Sequence, residues 1–310
     1  MKKILVLGGN GMLGSMVVDH IVSKGGFEVH ASVRNLNGCR KVIDKVPKVE
    51  WHAFDIKRNE DIERELADLL SGKDYAINCI GIIKPYIHDD KPLEVERAIV
   101  VNSLFPHILA RCAEKTGVHV IQIATDCVYS GLKGDYDETA AHDPPDAYGK
   151  TKSLGEVYSD LVHHVRCSIV GPEPMNCLSL LEWFLSQKTG ATVKGFVNQY
   201  WNGVTTLHFA ALLHGIIEKE LFKHIGHLVH VVPSYKISKA GLLQEFAKAF
   251  NRSDVIINSV STETAKDLTL ATVRSEFNLQ IWKSAGYSSP PTIPEMIKEL
   301  GDYPYRFKEK

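Results

Sequence analysis

Uninterrupted apolar runs alternate with amphipathic segments along the first half of the chain. Residues 4–7 carry no polar side chain and predict a strand that is buried on both faces. Apolar positions recur at helical spacing over residues 11–23, and a second strand is predicted over residues 28–33. These three segments predict one strand–helix–strand unit with parallel strands.

The same unit repeats farther along the chain. Additional strands are predicted over residues 50–54, 75–79 and 118–124, and helices over residues 60–70 and 93–115. Apolar strands separated by amphipathic helices favour an α/β fold, a doubly wound parallel sheet that helices cover on both faces. In such a sheet, ligands bind at the carboxyl ends of the strands.

The pattern becomes less regular after a strand predicted over residues 164–170. A Gly-Pro turn over residues 171–174 interrupts it, and shorter elements are predicted over residues 178–187, 192–196, 206–220, 228–232 and 238–250. The sequence therefore predicts two domains. Residues 1–171 form the sheet domain, and residues 172–310 form a smaller C-terminal domain.

The amino-acid composition limits which binding partners and which cellular compartment are expected. The chain has 310 residues, 44% of them hydrophobic, and a net charge of -1, which gives no electrostatic reason to expect nucleic acid or an anionic membrane as a partner. Its apolar runs are far shorter than the roughly 20 residues that span a bilayer, and no signal peptide is visible. Six scattered cysteines are expected to be reduced thiols in the cytoplasm. No spacing of cysteines or histidines predicts a metal site.

A glycine-rich turn follows the first strand, with the spacing G-x-x-G-x-x-G. Gly8 and Gly11 would allow a tight turn and close approach to a pyrophosphate, and Gly14 would allow close packing of helix on strand. The alternative is an ordinary glycine-rich loop. The placement between a strand and a helix favours a dinucleotide site. Its predicted contacts are Gly8, Asn10, Gly11, Met12, Leu13 and Gly14.

The residues after the second strand favour one dinucleotide over the other. An NAD site usually has a carboxylate there for the ribose hydroxyls, whereas a 2'-phosphate favours arginine. This strand ends without a carboxylate and is followed by Arg34, so the sequence favours NADP(H). The alternative is a solvated loop arginine. Asp55 and Ile56, after the third strand, are predicted to lie beside the adenine ring.

A tyrosine and a lysine are placed one turn apart on a predicted helix. The four-residue spacing of Tyr148 and Lys152 puts both on one helix face, where the ammonium can favour ionisation of the phenol. Taken alone, the pair could be a surface aromatic beside a solvated lysine, and Asn102 could be a satisfied helix amide. Polar and small residues that follow other strands complete the set, which is Cys79, Ile80, Gly81, Asn102, Thr125 and Asp126.

Together these segments resemble the extended short-chain dehydrogenase/reductase superfamily over nearly the whole chain. The resemblance is closest to the dTDP-4-dehydrorhamnose reductase family. The segments that carry it are Ala124-Thr125-Asp126, Asp135-Tyr136-Asp137-Glu138, Tyr148-Gly149-Lys150-Thr151-Lys152 with Gly155-Glu156, and Trp201-Asn202-Gly203-Val204-Thr205-Thr206. The resemblance implies a Rossmann domain that binds NADP(H), to which roughly residues 204–222 return, and a C-terminal substrate-binding domain.

The resemblance also implies catalytic roles for three residues. Tyr148 matches the catalytic tyrosine, and Thr125 matches the hydroxyl that binds the reacting oxygen. Lys152 matches the lysine that holds the nicotinamide ribose and lowers the pKa of the phenol. Lowering that pKa from near 10 to about 7 requires roughly 4 kcal/mol of preferential stabilisation of the phenolate. Tyr148, Lys152 and Asn102, with Cys79, Ile80 and Gly81, are also expected to contact the cofactor.

The substrate implied by the resemblance is a nucleotide sugar in the cleft between the two domains. Lys84, Asp126, Cys127 and Trp201 are the candidates to contact it, although Lys84 could be a surface lysine and Trp201 a core aromatic. In the related GDP-fucose synthase family a cysteine matching Cys127 works in epimerisation with a histidine. No histidine occurs in residues 174–182, so a plain 4-keto reductase is favoured and Cys127 is expected to be a small pocket or core residue.

The function expected from this resemblance is NADPH-dependent reduction of a nucleotide-linked 4-keto-6-deoxyhexose, in deoxysugar synthesis for surface polysaccharide. An epimerase or dehydratase of the same superfamily remains an alternative. A non-catalytic NADP-binding subunit is a further one. The expected partner is the nucleotide sugar, and a second copy of the chain, forming a homodimer, stays open.

Overall fold

The computed structural model describes residues 1–57, 61–175 and 177–307. Its strands and helices, in chain order, are β1 (Lys2–Leu7), α1 (Met12–Lys24), β2 (Phe27–Val33), α2 (Arg40–Ile43), β3 (Glu50–Ala53), α3 (Ile62–Leu70), β4 (Tyr75–Asn78), α4 (Pro92–Ala98), α5 (Phe105–Thr116), β5 (His119–Ala124), α6 (Ala147–Leu154), β6 (Val162–Arg166), β7 (Ile169–Val170), α7 (Leu180–Leu185), β8 (Thr192–Phe196), β9 (Gln199–Trp201), β10 (Val204–Thr205), α8 (Thr206–Glu218), α9 (Phe222–Ile225), β11 (Leu228–His230), β12 (Ile237–Ser238), α10 (Lys239–Ala249), β13 (Ile256–Val260), β14 (Lys266–Asp267), α11 (Ser275–Ser284) and α12 (Ile293–Asp302).

Seven parallel strands form the main sheet, in the order β11-β6-β5-β4-β1-β2-β3. The strand order reverses direction between β1 and β4, and a crevice opens at such a reversal above the carboxyl ends of the strands. The predicted doubly wound parallel sheet is therefore confirmed. No helix of the described ranges is long and apolar enough to cross a membrane.

The position of β1 in the sheet explains why residues 4–7 of this strand are all apolar. Ile4 and Val6 belong to a large core that includes residues of α1 and α8, whereas Leu5 and Leu7 belong to a second core with α3 and α5. All four side chains have no exposed surface. Burial on both faces thus replaces the alternation expected of a strand with one wet face.

The C-terminal half is not separated cleanly from the sheet. Helix α8 packs against α1, and the large core continues into α10 and α12. The end of the described chain also returns to α1, because the Tyr305 hydroxyl lies 2.5 Å from that of Ser15 and Arg306 pairs with Asp19 at 2.6 Å. The division into residues 1–171 and 172–310 therefore remains a prediction.

Several predicted boundaries differ from the structure. The single helix predicted over residues 93–115 is three elements, since a π-helical turn, Ile99–Leu104, joins α4 to α5. The strand predicted over residues 164–170 is divided into β6 and β7, which join different sheets. Some positions named in the predictions lie outside the described residues. They are Glu60 at the start of one helix, Asn176 in the segment after the Gly-Pro turn and residues 308–310 of the C-terminal domain.

Candidate active site

The glycine turn brings the start of α1 against the end of β1. Gly8 has a φ of +80°, a conformation that glycine adopts without strain. A β-carbon on Gly14 would lie 2.1 Å from the Gly8 oxygen, which is too short for any non-bonded contact. A β-carbon on Gly11 would lie 3.5 Å from the same oxygen, an ordinary contact. Close packing therefore requires glycine at position 14 but not at position 11.

The N-terminus of α1 is open to a ligand. Its N-cap residue, Gly11, has no side chain to accept hydrogen bonds from the first turn. The amides of Met12, Leu13 and Gly14 therefore lack a side-chain cap and point out of the helix end, where the helix dipole favours an anion. The Gly8 amide, in contrast, already has a side-chain partner, because it donates a hydrogen bond to the Ser32 Oγ at 3.2 Å.

A cavity of about 630 Å³ opens above the glycine turn, at the carboxyl ends of β1 to β4. Nine residues predicted to contact a dinucleotide line it, namely Gly8, Asn10, Gly11, Arg34, Asp55, Ile56, Cys79, Ile80 and Gly81. Arg97 and Met175 also line it and were missed, because nothing in their local spacing marks them. The sequence therefore identified much of this wall from residues that are far apart in the chain.

Arg34 lies on the cavity wall just after β2, with its side chain exposed. The next residue is used locally, since the Asn35 carbonyl oxygen Oδ1 accepts hydrogen bonds from the amides of Asn37 and Gly38. The end of β2 thus offers a guanidinium group and no carboxylate to the cavity. A guanidinium binds phosphate oxygens through paired N–H groups.

Asn102, a predicted cofactor contact, is not among the residues that line this cavity. It is 2% exposed, and its amide accepts from the Ile82 nitrogen at 2.8 Å and donates to the Ile82 oxygen at 2.9 Å. It also lies 3.3 Å from the Thr151 hydroxyl. The side chain therefore connects the cavity-lining Ile82 loop to α6. A buried amide is satisfied in this way by the main chain, so its role is to hold the cavity wall.

Helix α6 is fixed against the turn that follows β5. The Asp146 carboxylate caps it by accepting a hydrogen bond from the Gly149 nitrogen at 2.9 Å. A β-carbon on Gly149 would lie 2.2 Å from the Cys127 oxygen, so glycine is needed for this approach. The close packing brings the Tyr148 phenol near the side chain of Thr125.

Two of the three predicted catalytic residues, Tyr148 and Thr125, lie near each other, whereas Lys152 makes a different contact from the one expected. Burial raises the pKa of the Tyr148 phenol, and the nearby Thr125 side chain only partly offsets that effect. Lys152 is absent from the groups that shift this pKa. Its ammonium instead donates to the Ile123 oxygen at 3.0 Å, and burial lowers its own pKa. The predicted lowering of the phenol pKa by Lys152 is therefore not seen.

Two acidic groups lie beside Tyr148. Asp126 is 5% exposed, and burial raises the pKa of its carboxyl group, which lies 3.1 Å from the Thr125 hydroxyl. Burial and the charge of Asp126 raise the pKa of the Cys127 thiol as well. Both groups are thus held toward their neutral forms.

Lysines surround these groups. Lys84, a predicted substrate residue, pairs with Asp146 at 2.5 Å and lies near Cys127. Lys239, at the start of α10, was missed by the sequence analysis. Burial lowers its pKa, and the charge of Lys266 lowers it further. Neither Lys239 nor Lys266 forms a salt bridge with any described carboxylate, so both remain available to an anionic ligand.

Trp201 does not line the 630 Å³ cavity, nor a second cavity of about 760 Å³ between β8, β9 and the loop after β13. It is 7% exposed and belongs to the large hydrophobic core, so packing accounts for it. The alternation of β9 instead exposes the preceding residue, Tyr200, with the Lys236 ammonium 5.4 Å from its ring centre. The burial of Trp201 fits the core alternative, and its contact with a substrate stays a prediction.

The family model for the RmlD substrate binding domain matches residues 1–302 of this chain. Two curated relatives are dTDP-4-dehydrorhamnose reductases. The one from Mycolicibacterium smegmatis is 26% identical over 157 residues, which are 50% of this chain and 40% of that protein. The one from Aggregatibacter actinomycetemcomitans is 28% identical over 157 residues, 50% of this chain and 46% of that protein. The matches thus span less than half the length of these relatives.

Solved structures share the fold across the chain. A dTDP-4-dehydrorhamnose reductase from Clostridium acetobutylicum has a TM-score of 0.70 at 22% identity, covering 97% of this chain and 98% of its own. The same enzyme from Bacillus anthracis, in complex with NADP, has a TM-score of 0.70 at 18% identity, with coverages of 97% and 98%. A UDP-glucuronic acid 4-epimerase from Bacillus cereus, in complex with UDP-glucuronic acid and NAD, has a TM-score of 0.73 at 17% identity, with coverages of 97% and 98%.

At these identities the structures establish the fold, which reductases and epimerases share. The family match over almost the whole chain establishes more. This chain belongs to the RmlD substrate binding domain family, within the extended short-chain dehydrogenase/reductase superfamily.

Proposed function

We propose that the chain is an NADPH-dependent reductase of the 4-keto group of a nucleotide-linked 4-keto-6-deoxyhexose. The observation that carries this proposal is the close packing of Gly149 on the Cys127 oxygen, which places the Tyr148 phenol of α6 near Thr125 at the carboxyl end of β5. By family resemblance, the reaction would belong to deoxysugar synthesis for surface polysaccharide in the cytoplasm.

The residues around the 630 Å³ cavity fit a dinucleotide. The uncapped end of α1 and the contact between Gly14 and Gly8 leave room for a diphosphate to approach the main chain. Arg34 would bind the 2'-phosphate that distinguishes NADP from NAD. Lys152, anchored on Ile123, would hold the ribose next to the nicotinamide. When bound, the reduced cofactor would supply a hydride.

Tyr148 would then supply the proton. A carbonyl that gains a hydride becomes an alkoxide, and a protonated phenol within hydrogen-bonding distance can protonate it. Because burial raises the pKa of Tyr148, its hydroxyl group is in the donating form throughout the neutral range. The Thr125 hydroxyl would fix the position of the reacting oxygen.

The lysines beside this group favour an anionic substrate. Lys239 and Lys266 lack carboxylate partners in the described part of the chain, and Lys84 lies near Cys127. Lys266 also lines the second cavity, of about 760 Å³, between β8, β9 and the loop after β13. A diphosphate-linked sugar would neutralise this group of cations while its ring reached Tyr148.

Reduction is favoured over epimerisation by the state of Cys127. Epimerisation at a carbon next to the keto group, the reaction in which a cysteine matching Cys127 would act, must remove a proton from that carbon, which requires a base. Burial and Asp126 raise the pKa of the Cys127 thiol, which opposes formation of the thiolate. Net consumption of NADPH with each product molecule would distinguish a reductase from an enzyme that returns the hydride.

The test is an assay with a panel of 4-keto-6-deoxy nucleotide sugars, in which oxidation of NADPH is followed by absorbance. We expect turnover with at least one substrate, and a loss of about 10²- to 10⁴-fold in Tyr148→Phe with NADPH binding retained. Tyr158→Phe is the matched control, because Tyr158 is 83% exposed and stacks on His227. Equal activity of Tyr148→Phe and the unaltered chain would refute the assignment of the proton donor.

A further inference from the structure

Two histidines and a glutamate meet on one face of the sheet edge, away from the candidate active site. His30 lies in β2, and Glu50 and His52 lie in the edge strand β3. The register pairs His30 with Glu50 and places His52 opposite Ser32, the next residue of β2 on the same face. Side chains alternate between the two faces of a sheet, so the pairing of β2 with β3 brings these three potential metal ligands together on one face. His30 is at least 20 residues away from the other two in the chain.

The ligand atoms have the spacing of a coordination sphere. His30 Nδ1 lies 3.1 Å from His52 Nε2 and 3.4 Å from a Glu50 carboxylate oxygen. The other Glu50 oxygen lies 3.5 Å from His52 Nε2. Tetrahedral ligands with bonds of about 2.0–2.1 Å to zinc lie about 3.3 Å from one another. All of these atoms lie within 4.8 Å of one another.

We propose that His30, His52 and Glu50 form a binding site for a divalent transition metal of the zinc class. Two imidazoles and one carboxylate supply three ligands of a tetrahedral site, and water would take the fourth position. Solvent can reach the site, because the Glu50 side chain is 65% exposed and that of His52 is 26% exposed. The proposal is independent of the proposed reductase activity.

Glu28 supports the metal-binding form of His30. Its carboxylate lies 3.0 Å from His30 Nε2 and 3.1 Å from the Lys3 ammonium. A proton on Nε2 that is donated to Glu28 leaves the lone pair of Nδ1 directed toward Glu50. In this tautomer, the lone pair of His30 Nδ1, which lies 3.4 Å from the Glu50 carboxylate oxygen, is available to a metal ion. The carboxylate–histidine pair is also the arrangement that orients imidazole ligands at zinc sites.

A second histidine pair in the same sheet provides an internal control. His119 in β5 and His163 in β6 stack with ring centres 5.6 Å apart and 22° between planes, close to the 5.4 Å and 20° of His30 and His52. Their nearest ring nitrogens are 3.4 Å apart. No described carboxylate forms an ion pair with either ring, and His163 Nδ1 bonds to the Gly226 oxygen. This pair therefore lacks the third ligand.

A metal at the first site would connect β3 to β2. The strand β3 forms the edge of the sheet, and its carboxyl end leads to Phe54 and Asp55 on the wall of the 630 Å³ cavity. Cross-linking the two strands would hold this wall in place, which makes the site a structural one.

The experiment is a calorimetric titration of the full, tag-free chain with Zn²⁺ after chelator treatment and dialysis. We expect one zinc ion per chain for the unaltered protein and for His119→Gln. We expect at least a tenfold weaker affinity in His52→Gln and in Glu50→Gln, and a loss of about 10- to 100-fold in Glu28→Gln. Glu50→Gln keeps the size of an exposed side chain, so its fold should be retained, and circular dichroism would check this.

Cobalt provides a second readout, because Co²⁺ in a tetrahedral site absorbs visible light more strongly than octahedral Co²⁺ does. The visible absorption band of tetrahedral Co²⁺ should appear in the unaltered chain and in His119→Gln, and it should be absent in His52→Gln. The proposal is overturned if the unaltered chain binds no stoichiometric zinc. It is equally overturned if His52→Gln and Glu50→Gln bind zinc as tightly as the unaltered chain, because the ion would then lie elsewhere.

Discussion

The ammonium of Lys152 is tied to the main-chain oxygen of Ile123, 3.0 Å away, rather than to the phenol of Tyr148 one helical turn before it. Ile123 stands two residues before Thr125, near the carboxyl end of β5. The lysine therefore fixes α6 to the strand that carries the Thr125 hydroxyl. This contact makes Lys152 a positioning group for the candidate site as well as a potential ligand of the cofactor ribose.

Replacement of Lys152 by methionine should lower the turnover number while the protein still folds. Methionine keeps the aliphatic length but loses the donor to Ile123 and the charge for the ribose, so kcat should fall about 10²-fold or more. Lys150→Met is the matched control, since Lys150 is exposed on the same helix. Steady-state kinetics with NADPH would measure both variants. Equal losses in the two variants would show that the helix, not the ammonium, was affected.

The glycine turn predicts a contrast between two substitutions three residues apart. Gly14→Ala places a β-carbon 2.1 Å from the Gly8 oxygen, so α1 must move away from β1. Overpacking of this kind costs about 1–3 kcal/mol, and NADPH affinity should fall at least tenfold with it. Gly11→Ala meets only an ordinary contact of 3.5 Å at a φ of -79° and should fold normally.

Fluorescence titration with NADPH and thermal unfolding would compare the two glycine variants. A Gly14→Ala protein with unchanged affinity and melting temperature would contradict the close packing of helix on strand. A large loss of stability in Gly11→Ala would contradict the ordinary contact expected for a β-carbon at that position.

The sequence predicted the sheet and many residues that line the 630 Å³ cavity, because both depend on local patterns. Apolar runs mark buried strands, and Gly8 and Gly14 mark a turn whose partners are nearby in the chain. The burial of Trp201 could not be predicted, because strand alternation decides which of two neighbouring aromatic residues faces the core, and the strand was not predicted. The cluster of His30 and His52 was missed because strand register, which no spacing reports, brings it together.

Arg34 predicts the choice between the two nicotinamide dinucleotides. Arg34→Gln removes the charge but keeps a polar side chain on the cavity wall, so affinity for NADPH should fall while affinity for NADH is retained. A hydrogen bond to a charged group contributes about 1.5–3 kcal/mol, which corresponds to roughly a 10- to 100-fold change.

The control for Arg34 is Arg64→Gln, because Arg64 is exposed and pairs with Asp61 on α3, away from the cavity. Binding of NADPH and NADH to each variant would be measured side by side. Equal loss of both dinucleotides in Arg34→Gln would assign the guanidinium to the adenine or the diphosphate instead of the 2'-phosphate.

Buried histidines predict that the protein loses stability in mild acid. Burial lowers the pKa of His20 and of His164 to about 4, from the usual value of 6.5. The unfolded chain therefore binds more protons than the folded chain between those values, and the free energy of unfolding decreases as the pH falls from about 6.5 to about 4. Each histidine contributes a slope of up to about 1.4 kcal/mol per pH unit in this range.

His164 is the more informative of the two, because its side chain has no exposed surface and its Nε2 bonds to the Val157 oxygen at 3.0 Å. His164→Gln cannot take up a proton, so it should reduce the slope of stability against pH even if it lowers stability at neutral pH. His224→Gln removes an exposed histidine and should leave the slope unchanged. Urea denaturation between about pH 5 and pH 7 would give the free energies. An identical slope in His164→Gln and the unaltered chain would mean that His164 takes up no proton on acid unfolding, and some other group would have to account for the acid sensitivity.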